Sequence, residues 1–259
     1  MPIHQYTNFF GTQTPFYGAC AGMGLLLIGI WMLHTFKVFN IDGDGQNEIL
    51  FRFPFMVLFG LLFAFVLDAV FTGDWRTWTG PMNDRRFGFT FTGWLLGTVL
   101  FLLTFGGNTS FGRLFLCNTL LPSFALAQAV GRVGCFLGGC CYGIPCEWGV
   151  HYPEGSLPYS ILGDVSLLPI QLCEAGALSL LFLICAFASF KFRAAIYLFG
   201  VSLIRFIAEF FRYDHRGMIY GIETFSPQQF MSMLFMVFGV GFLVAALRNR
   251  SVHGVISKK

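Results

Sequence analysis

The sequence predicts an all-α polytopic membrane protein with about seven transmembrane helices around a polar cavity. The first reason is composition: 56% of the 259 residues are hydrophobic and only 11% are charged, whereas a soluble domain has about 25% charged residues. The mean hydropathy is accordingly high, at +0.69. The second reason is that seven apolar stretches approach the roughly 20 residues that a helix needs to cross a bilayer. The third is that a few charges interrupt these stretches, which indicates a polar interior.

The apolar stretches follow one another without an internal repeat or a low-complexity segment. They lie near residues 16–36, 53–72, 89–106, 113–131, 169–190, 194–211 and 228–247. We therefore expect a single transmembrane bundle over residues 1–259, with a Cys/Gly-rich loop region at 132–168 on the outer side of the membrane.

Basic residues predict the orientation of the bundle. An odd number of spans places the two termini on opposite sides of the membrane. The C-terminal segment RNRSVHGVISKK contains four basic residues, so the positive-inside rule places it in the cytoplasm and the N-terminus outside. The net charge of +3 is small and no long basic run occurs, which predicts no nucleic-acid partner.

The sixth span has charges that are unusual within a membrane. In RFIAEFFR, Arg205, Glu209 and Arg212 have the spacing of one helix face. Charged residues in spanning helices usually face the bundle interior or a water-filled cavity. One interpretation is a ladder that reaches the outer interface and orients the helix. The other is an anion site, because guanidinium groups bind phosphate through paired hydrogen bonds and stay charged when buried.

Two neighbouring spans add polar residues at the same predicted depth. Gln171 and Glu174 begin the fifth span, where they either cap the helix or line a site. Arg132 lies at the end of the fourth span, within GRVGCFLGGCCYG. The glycines of this stretch allow a helix or ligand to approach the backbone closely. The sequence thus predicts a close-packed wall from which Arg132 points into a polar pocket.

Eight cysteines raise the question of a metal or a disulfide. Cys20, Cys117 and Cys185 lie within spans and are expected to be core residues. The others are assigned to the outer side. Their spacing does not match the paired Cys-x2–4-Cys arrangement of zinc sites, so no metal site is predicted. A disulfide from Cys146 to Cys140 or Cys141 and simple packing of small residues remain alternatives.

Several motifs together resemble the prolipoprotein diacylglyceryl transferase family. Its signature GRxGNFxNxExYG is similar to GRVGCFLGGCCYG at 131–143, and its Pro-x-Gln-Leu-Tyr-Glu segment to PIQLCE at 169–174. The family's RF-x-x-E-x-FR helix resembles RFIAEFFR at 205–212, and the opening of its last span resembles SPQQ at 226–229. Tyr17 matches an early Tyr-Gly of the first span. These motifs occur in the family's order and cover most of the chain.

The resemblance implies a reaction and assigns residues to it. A diacylglyceryl group moves from phosphatidylglycerol to the lipobox cysteine of a preprolipoprotein, and glycerol-1-phosphate leaves without a metal or organic cofactor. The expected partners are phosphatidylglycerol, the preprolipoprotein signal peptide and membrane lipids, with the protein acting as a monomer in the bacterial cell membrane. The catalytic residues are expected to be Arg132, Arg205, Glu209 and Arg212. The expected substrate-binding residues are Tyr17, Gly143, Gln171, Glu174, Cys135 and Cys140.

This chain differs from the family at three motif positions. The family's His-Gly-Gly at the third span reads Phe91, Thr92, Gly93, so the histidine proposed as the base is missing. Cys135 replaces the signature Asn and Cys140 its acidic residue. Glu209 is the first candidate for the proton acceptor, with His215 as an alternative. A cysteine beside Arg132 would have a lowered pKa and could act as a nucleophile, although the family's reaction takes the thiol from the substrate.

Two other functions remain open at this point. A divergent paralogue would transfer a lipid-derived group to another acceptor. A non-catalytic protein would bind lipid at the arginine site without turnover.

Overall fold

A computed structural model of the protein describes residues 6–9, 12–72, 90–106, 111–213 and 226–248, with side chains described from Gly18 onward. Eight α-helices account for most of this part of the chain. They are α1 (Phe16–Val38), α2 (Gly43–Thr72), α3 (Phe91–Phe105), α4 (Arg113–Leu137), α5 (Leu157–Leu162), α6 (Ile170–Phe187), α7 (Arg193–Glu209) and α8 (Pro227–Arg248). The three strands are β1 (Tyr6–Phe9), β2 (Thr12–Pro15) and β3 (Pro145–Val150).

The helices confirm the prediction of an all-α polytopic membrane protein. Five of them are long and apolar enough to cross a bilayer, namely Gly18–Val38, Gly43–Phe71, Arg113–Leu137, Ile170–Phe187 and Pro227–Arg248. α3 and α7 occupy the two other predicted spans but are shorter, at 15 and 17 residues. Seven spans therefore stay a prediction, while helices occur at all seven predicted places.

Helix α4 lies at the centre of the bundle. It packs against α1, α6 and α7, while α2 packs mainly against α3, and α7 against α8. Burial follows this arrangement: 72% of the α4 span is buried, against 28% for α1 and 22% for α2. The outer helices expose leucine and isoleucine, such as Leu26 and Ile30. In a bilayer these side chains face lipid, so the polar residues of α4 are directed inward.

The chain between α4 and α6 folds back over one end of the bundle. β3 and the short helix α5 lie in this connection, and Leu167 bridges to both Pro145 and Val150. α5 begins at Ser156, whose side-chain oxygen accepts a hydrogen bond from the Tyr159 N–H, as expected of an N-cap. The connection therefore has its own hydrogen bonds and is a structured cover.

The same connection is joined to the end of α7. Gly143 and Arg212 form an antiparallel bridge, with hydrogen bonds from the Ile144 N–H to the Phe211 carbonyl (3.0 Å) and from the Tyr213 N–H to the Tyr142 carbonyl (3.1 Å). A side chain at Gly143 would meet the Leu168 carbonyl oxygen at 2.5 Å. Glycine is required here because three segments of backbone meet. This junction brings the ends of α4, α6 and α7 together.

Candidate active site

The predicted charged residues converge at the joined end of the bundle. The Glu174 carboxylate on α6 forms an ion pair with Arg132 Nε on α4 (2.6 Å) and accepts a hydrogen bond from Arg205 Nη1 on α7 (2.5 Å). Arg205 Nη2 also donates to Glu209 one turn further along α7 (2.5 Å). The side chains of these four residues are between 4% and 11% exposed. Glu174 thus holds two arginines from different helices in place.

The fourth predicted catalytic residue, Arg212, is buried beside this cluster. Its charge acts on Arg132, Arg205 and Glu174. Among the described residues, the cluster brings three arginines together with two carboxylates. Guanidinium groups bind phosphate and carboxylate groups through paired hydrogen bonds, so this end of the bundle is suited to an anion.

A cavity of about 550 Å³ opens beside the cluster. Arg132 and Arg205 line its polar end together with three polar side chains, Thr92, Gln128 and Gln228. The rest of its wall is apolar and comes mainly from α1 and α2, with Leu25, Ile28, Val57, Leu61 and Phe65. The cavity therefore combines a cationic end with a hydrocarbon-lined end, which matches an amphiphilic anion.

Gln171 is the second polar residue of α6 at the site. It is completely buried, and its Nε2 donates to the Cys140 carbonyl (2.8 Å) and to the Tyr152 hydroxyl (3.1 Å). Gln171 holds the connection after α4 in place, which is a supporting position. The alternative that Gln171 and Glu174 simply cap α6 is wrong, because both side chains make contacts with other parts of the fold.

The predicted residue Gly143 and the nearby Gly131 differ in their relation to the cavity. Gly143 forms the three-way junction described above and does not line the cavity. Gly131 does line the cavity, and a side chain there would meet no atom within 4 Å. Tyr17 lies in the first turn of α1, and its side chain falls outside the described part of the structure.

The structure corrects the predicted arrangement of the outer cysteines. None of the eight cysteines forms a disulfide. Cys146 does not pair with Cys140 or Cys141, because it packs beside Leu168, Ile170 and Ala208. Cys173 is exposed. The other three thiols, of Cys135, Cys140 and Cys141, lie within 4.8 Å of one another and line the cavity, although their spacing predicted no such grouping.

The expectation of an activated thiol is wrong for Cys140. Its hydrogen bonds with the thiols of Cys135 and Cys141, together with burial, raise the pKa of Cys140 above its usual range. A thiol of raised pKa is protonated at neutral pH and is a poor nucleophile. This agrees with a reaction in which the substrate supplies the thiol.

The residue that follows the position of the missing histidine, Thr92, makes a polar contact. The Thr92 hydroxyl donates to Gln228 Oε1 at 2.9 Å, joining α3 to α8 at the cavity wall. His215, the alternative proton acceptor, lies outside the described residues. His151 is exposed and pairs with Asp164 at 2.7 Å, away from the cavity wall.

Gln128 was missed by the sequence analysis. It lies one turn before Arg132 on α4, is 7% exposed and lines the cavity. Its Oε1 has no hydrogen-bond partner within the described part of the chain, so it is available to accept from a ligand. The sequence signal was the i, i+4 spacing to Arg132, which places both side chains on one helix face.

Taken together, these features define a polytopic membrane protein whose cavity joins buried arginines to a hydrocarbon-lined wall. Comparison with known proteins agrees with this class. The family model described as prolipoprotein diacylglyceryl transferase matches residues 6–245. The chain belongs to this family, which confirms the resemblance predicted from the motifs and the transferase class.

Individual relatives extend over nearly the whole chain. It is similar to the phosphatidylglycerol–prolipoprotein diacylglyceryl transferase of Chlamydia caviae, with 29% identity over 92% of this chain and 88% of the relative. The transferase of the same name from Clostridium tetani is 27% identical over 90% of this chain and 93% of its own length. A transferase 2 from Clostridium perfringens is 29% identical, with 90% and 91% covered.

Proposed function

We propose that the protein transfers the diacylglyceryl group of phosphatidylglycerol to the lipobox cysteine of a preprolipoprotein and releases glycerol-1-phosphate. The observation that carries this proposal is the cavity, which has Arg132 and Arg205 at one end and an apolar wall at the other. Phosphatidylglycerol has the same division, with an anionic phosphate beside two acyl chains.

The arginines bind the phosphate and stabilise the leaving group. When the bond from glycerol carbon to phosphate oxygen breaks, negative charge accumulates on that oxygen. Arg132 and Arg205 line the cavity where this charge develops, and Arg212 adds to the positive potential. Preorganised donors of this kind stabilise a transition state because they need no reorientation during the reaction.

The carboxylates position the arginines. Glu174 binds Nε of Arg132 and Nη1 of Arg205, so each guanidinium keeps other N–H groups for the phosphate. Glu209 fixes Arg205 from the opposite side. We also propose Glu209 as the acceptor of the substrate thiol proton. Gln128 and Gln171 support the site, with Gln128 able to accept a hydrogen bond from the lipid headgroup.

The cavity wall also indicates how lipid reaches the site. α1 packs mainly on α4 and α2 mainly on α3, yet both line the apolar part of the cavity. We propose that the acyl chains extend between α1 and α2 toward the bilayer. In this arrangement the N-terminus and the Cys/Gly-rich region lie outside, the C-terminus lies in the cytoplasm, and a monomeric bundle binds the signal peptide of its substrate.

A reconstituted assay with phosphatidylglycerol and a lipobox peptide tests the proposal. Mass spectrometry should show a gain of one diacylglyceryl group on the peptide cysteine. Arg132→Lys and Arg205→Lys keep the charge but lose the forked donor geometry, so we expect the transfer rate to fall on the order of 100-fold. Arg52→Lys is the matched control, because Arg52 pairs with Glu48 on α2, outside the cavity.

A divergent acceptor is the second candidate, because Phe91 and Thr92 stand where the family has His-Gly-Gly. If the peptide gains no mass while glycerol phosphate is released with other acceptors, the divergent paralogue is favoured. If neither product forms and phosphatidylglycerol binds, the protein is a lipid-binding protein. Full activity in both lysine variants would contradict the assigned arginine roles.

A further inference from the structure

Three thiols line the cavity, two of them buried and one half-buried, and the proposed reaction does not require sulfur at any of them. The Sγ atoms of Cys135, Cys140 and Cys141 all lie within 4.8 Å of one another. None is in a disulfide. All three residues line the same cavity as Arg132.

The end of α4 explains why the thiols meet. The Cys140 N–H donates to the Cys135 carbonyl and the Gly139 N–H to the Phe136 carbonyl, both at 3.1 Å. Gly139 has a φ of 65°. These are the two hydrogen bonds and the left-handed glycine of a Schellman motif, in which the residue after the glycine contacts the residue that begins the last turn. Cys135 and Cys140 occupy those two positions.

The next residue adds the third thiol. Cys141 also has a left-handed backbone, with a φ of 61°. Gln171 Nε2 holds the Cys140 carbonyl at 2.8 Å and so fixes the turn against α6. The grouping is therefore held by backbone hydrogen bonds and by a buried side chain from another helix.

We propose that Cys135, Cys140 and Cys141 form a binding site for one soft, thiophilic metal cation, such as Cu(I) or Zn(II). Thiolates are the ligands that such cations prefer. With a metal–sulfur distance of about 2.3 Å, the sulfur atoms around one ion are roughly 4 Å apart. The observed limit of 4.8 Å requires only a small contraction. Zinc would keep a fourth position open toward the cavity, as it does in sites with three protein ligands.

The charge of the surroundings fits this assignment. The metal replaces the thiol protons, which are released to solvent. Three thiolates with a divalent cation carry one net negative charge, and with a monovalent cation two. Arg132 interacts electrostatically with Cys135 and Cys141, and it offsets this charge.

Metal and lipid would compete for the polar end of the cavity. Arg132 would be drawn to the thiolates and away from the phosphate. This consequence rests on the proposed function, but metal binding itself does not. Stoichiometry and affinity are therefore measured first, and inhibition of transfer separately.

The experiment uses the full-length protein in detergent, reduced with a phosphine under anaerobic conditions. It is loaded with Zn(II) or Cu(I) and desalted, and the retained metal is counted by mass spectrometry. Cd(II) serves as an optical probe through its thiolate charge-transfer absorption. We expect one ion per chain in the wild type. Cys135→Ser, Cys140→Ser and Cys141→Ser should each lower the affinity at least roughly 10-fold.

Matched controls come from cysteines outside the group. Cys146→Ser and Cys173→Ser should retain one ion per chain, because Cys146 packs elsewhere and Cys173 is exposed. Thermal unfolding shows which variants are folded. Alkylation of the wild type needs no variant: the metal should protect Cys135, Cys140 and Cys141 but leave Cys173 reactive.

Two results would overturn the proposal. One is a fully reduced wild type that retains no metal and gains no protection from alkylation. The other is equal metal retention in the wild type and in a folded variant with serine at all three positions. If metal binds as expected but transfer is absent under all conditions, the metal site stands and the proposed function fails.

Discussion

Helix α7 begins and ends with an arginine site, and the two sites differ in what satisfies the charge. Arg193, its first residue, donates to the carbonyls of Ala186 (2.8 Å) and Ala188 (3.4 Å) and lies over the rings of Trp31 and Phe190. Those carbonyls belong to the end of α6, where a cation is favourable. Arg193 therefore joins α7 to the end of α6.

Arg205, three turns later, is satisfied by carboxylates and faces a cavity. Its partner Glu174 also pairs with Arg132, and the charge of Arg212 acts on Arg205. The comparison teaches that a buried arginine is not itself a sign of function. The distinguishing features are a group of buried charges from several helices and an open cavity in front of it.

The largest effect is expected from Glu174→Gln, which removes the carboxylate that pairs with both Arg132 and Arg205. The change leaves Arg132 and Arg205 buried with less compensating charge. Breaking a buried ion pair costs about 3–5 kcal/mol, so the thermal unfolding temperature in detergent should fall strongly. Glu48→Gln, in the more exposed pair with Arg52, should cost about 1 kcal/mol or less. Equal shifts in unfolding temperature would show that the buried ion pairs of Glu174 stabilise the fold no more than the more exposed pair on α2 does.

Gly143→Ala tests the backbone junction that holds Arg212 near Arg205. The new Cβ would lie 2.5 Å from the Leu168 carbonyl oxygen and 3.0 Å from that of Phe211. Because both neighbours are backbone atoms, we expect a loss of about 3 kcal/mol in unfolding free energy and weaker binding of phosphatidylglycerol. Gly131→Ala is the control, since its Cβ meets no atom, and it should unfold like the wild type. An unchanged Gly143→Ala variant would show that the junction opens easily.

Arg193→Gln tests the arginine at the first residue of α7, which contacts the end of α6. Loss of its charged hydrogen bonds to α6 should reduce the unfolding free energy by about 2 kcal/mol. Transfer per folded molecule should remain at the wild-type level, because Arg193 does not line the cavity. The measurement pairs thermal unfolding with the transfer assay below the unfolding temperature. A loss of transfer in the folded variant would place Arg193 among the functional arginines.

The smallest effect is expected at an exposed ion pair in the outer connection. His151 and Asp164 lie 2.7 Å apart, but their side chains are 61% and 70% exposed. His151→Ala should therefore change the unfolding free energy by less than about 1 kcal/mol and leave transfer unchanged. A large loss of transfer would instead identify His151 as the proton acceptor that Glu209 is proposed to be.

Local spacing predicted the parts of the site that lie on one helix. Arg205 and Glu209 pair as their i, i+4 spacing indicated, because helix geometry is the same in any fold. The role of Glu174 was only partly predicted: the sequence placed it with the arginines, but its contacts with α4 and α7 depend on how the helices pack. The resemblance to the family's motifs predicted that α4, α6 and α7 contribute to one site, which spacing within a single helix cannot predict.

The cysteines show why sequence spacing did not predict the thiol group at the cavity. The Cys-x2–4-Cys patterns describe cysteines in loops, whereas Cys135 lies in the last turn of a helix and Cys140 follows a left-handed glycine. The pair of glycines before Cys140 was the available signal for this turn. The contact of the third thiol and the separation of Cys146 depend on β3 and its packing, which local sequence does not define.

The shared carboxylate of Glu174 has a consequence for biosynthesis. The chain is made from its N-terminus, so α4 with Arg132 is complete before α6 with Glu174 exists. During that interval Arg132 lacks its partner Glu174, and a buried charge without its partner is costly to leave in lipid. A nascent chain that stops after α4 is therefore expected to integrate poorly, and one that extends through α6 to integrate stably. Crosslinking of arrested nascent chains of different lengths would show whether α4 stays in contact with the insertion machinery until α6 has been made.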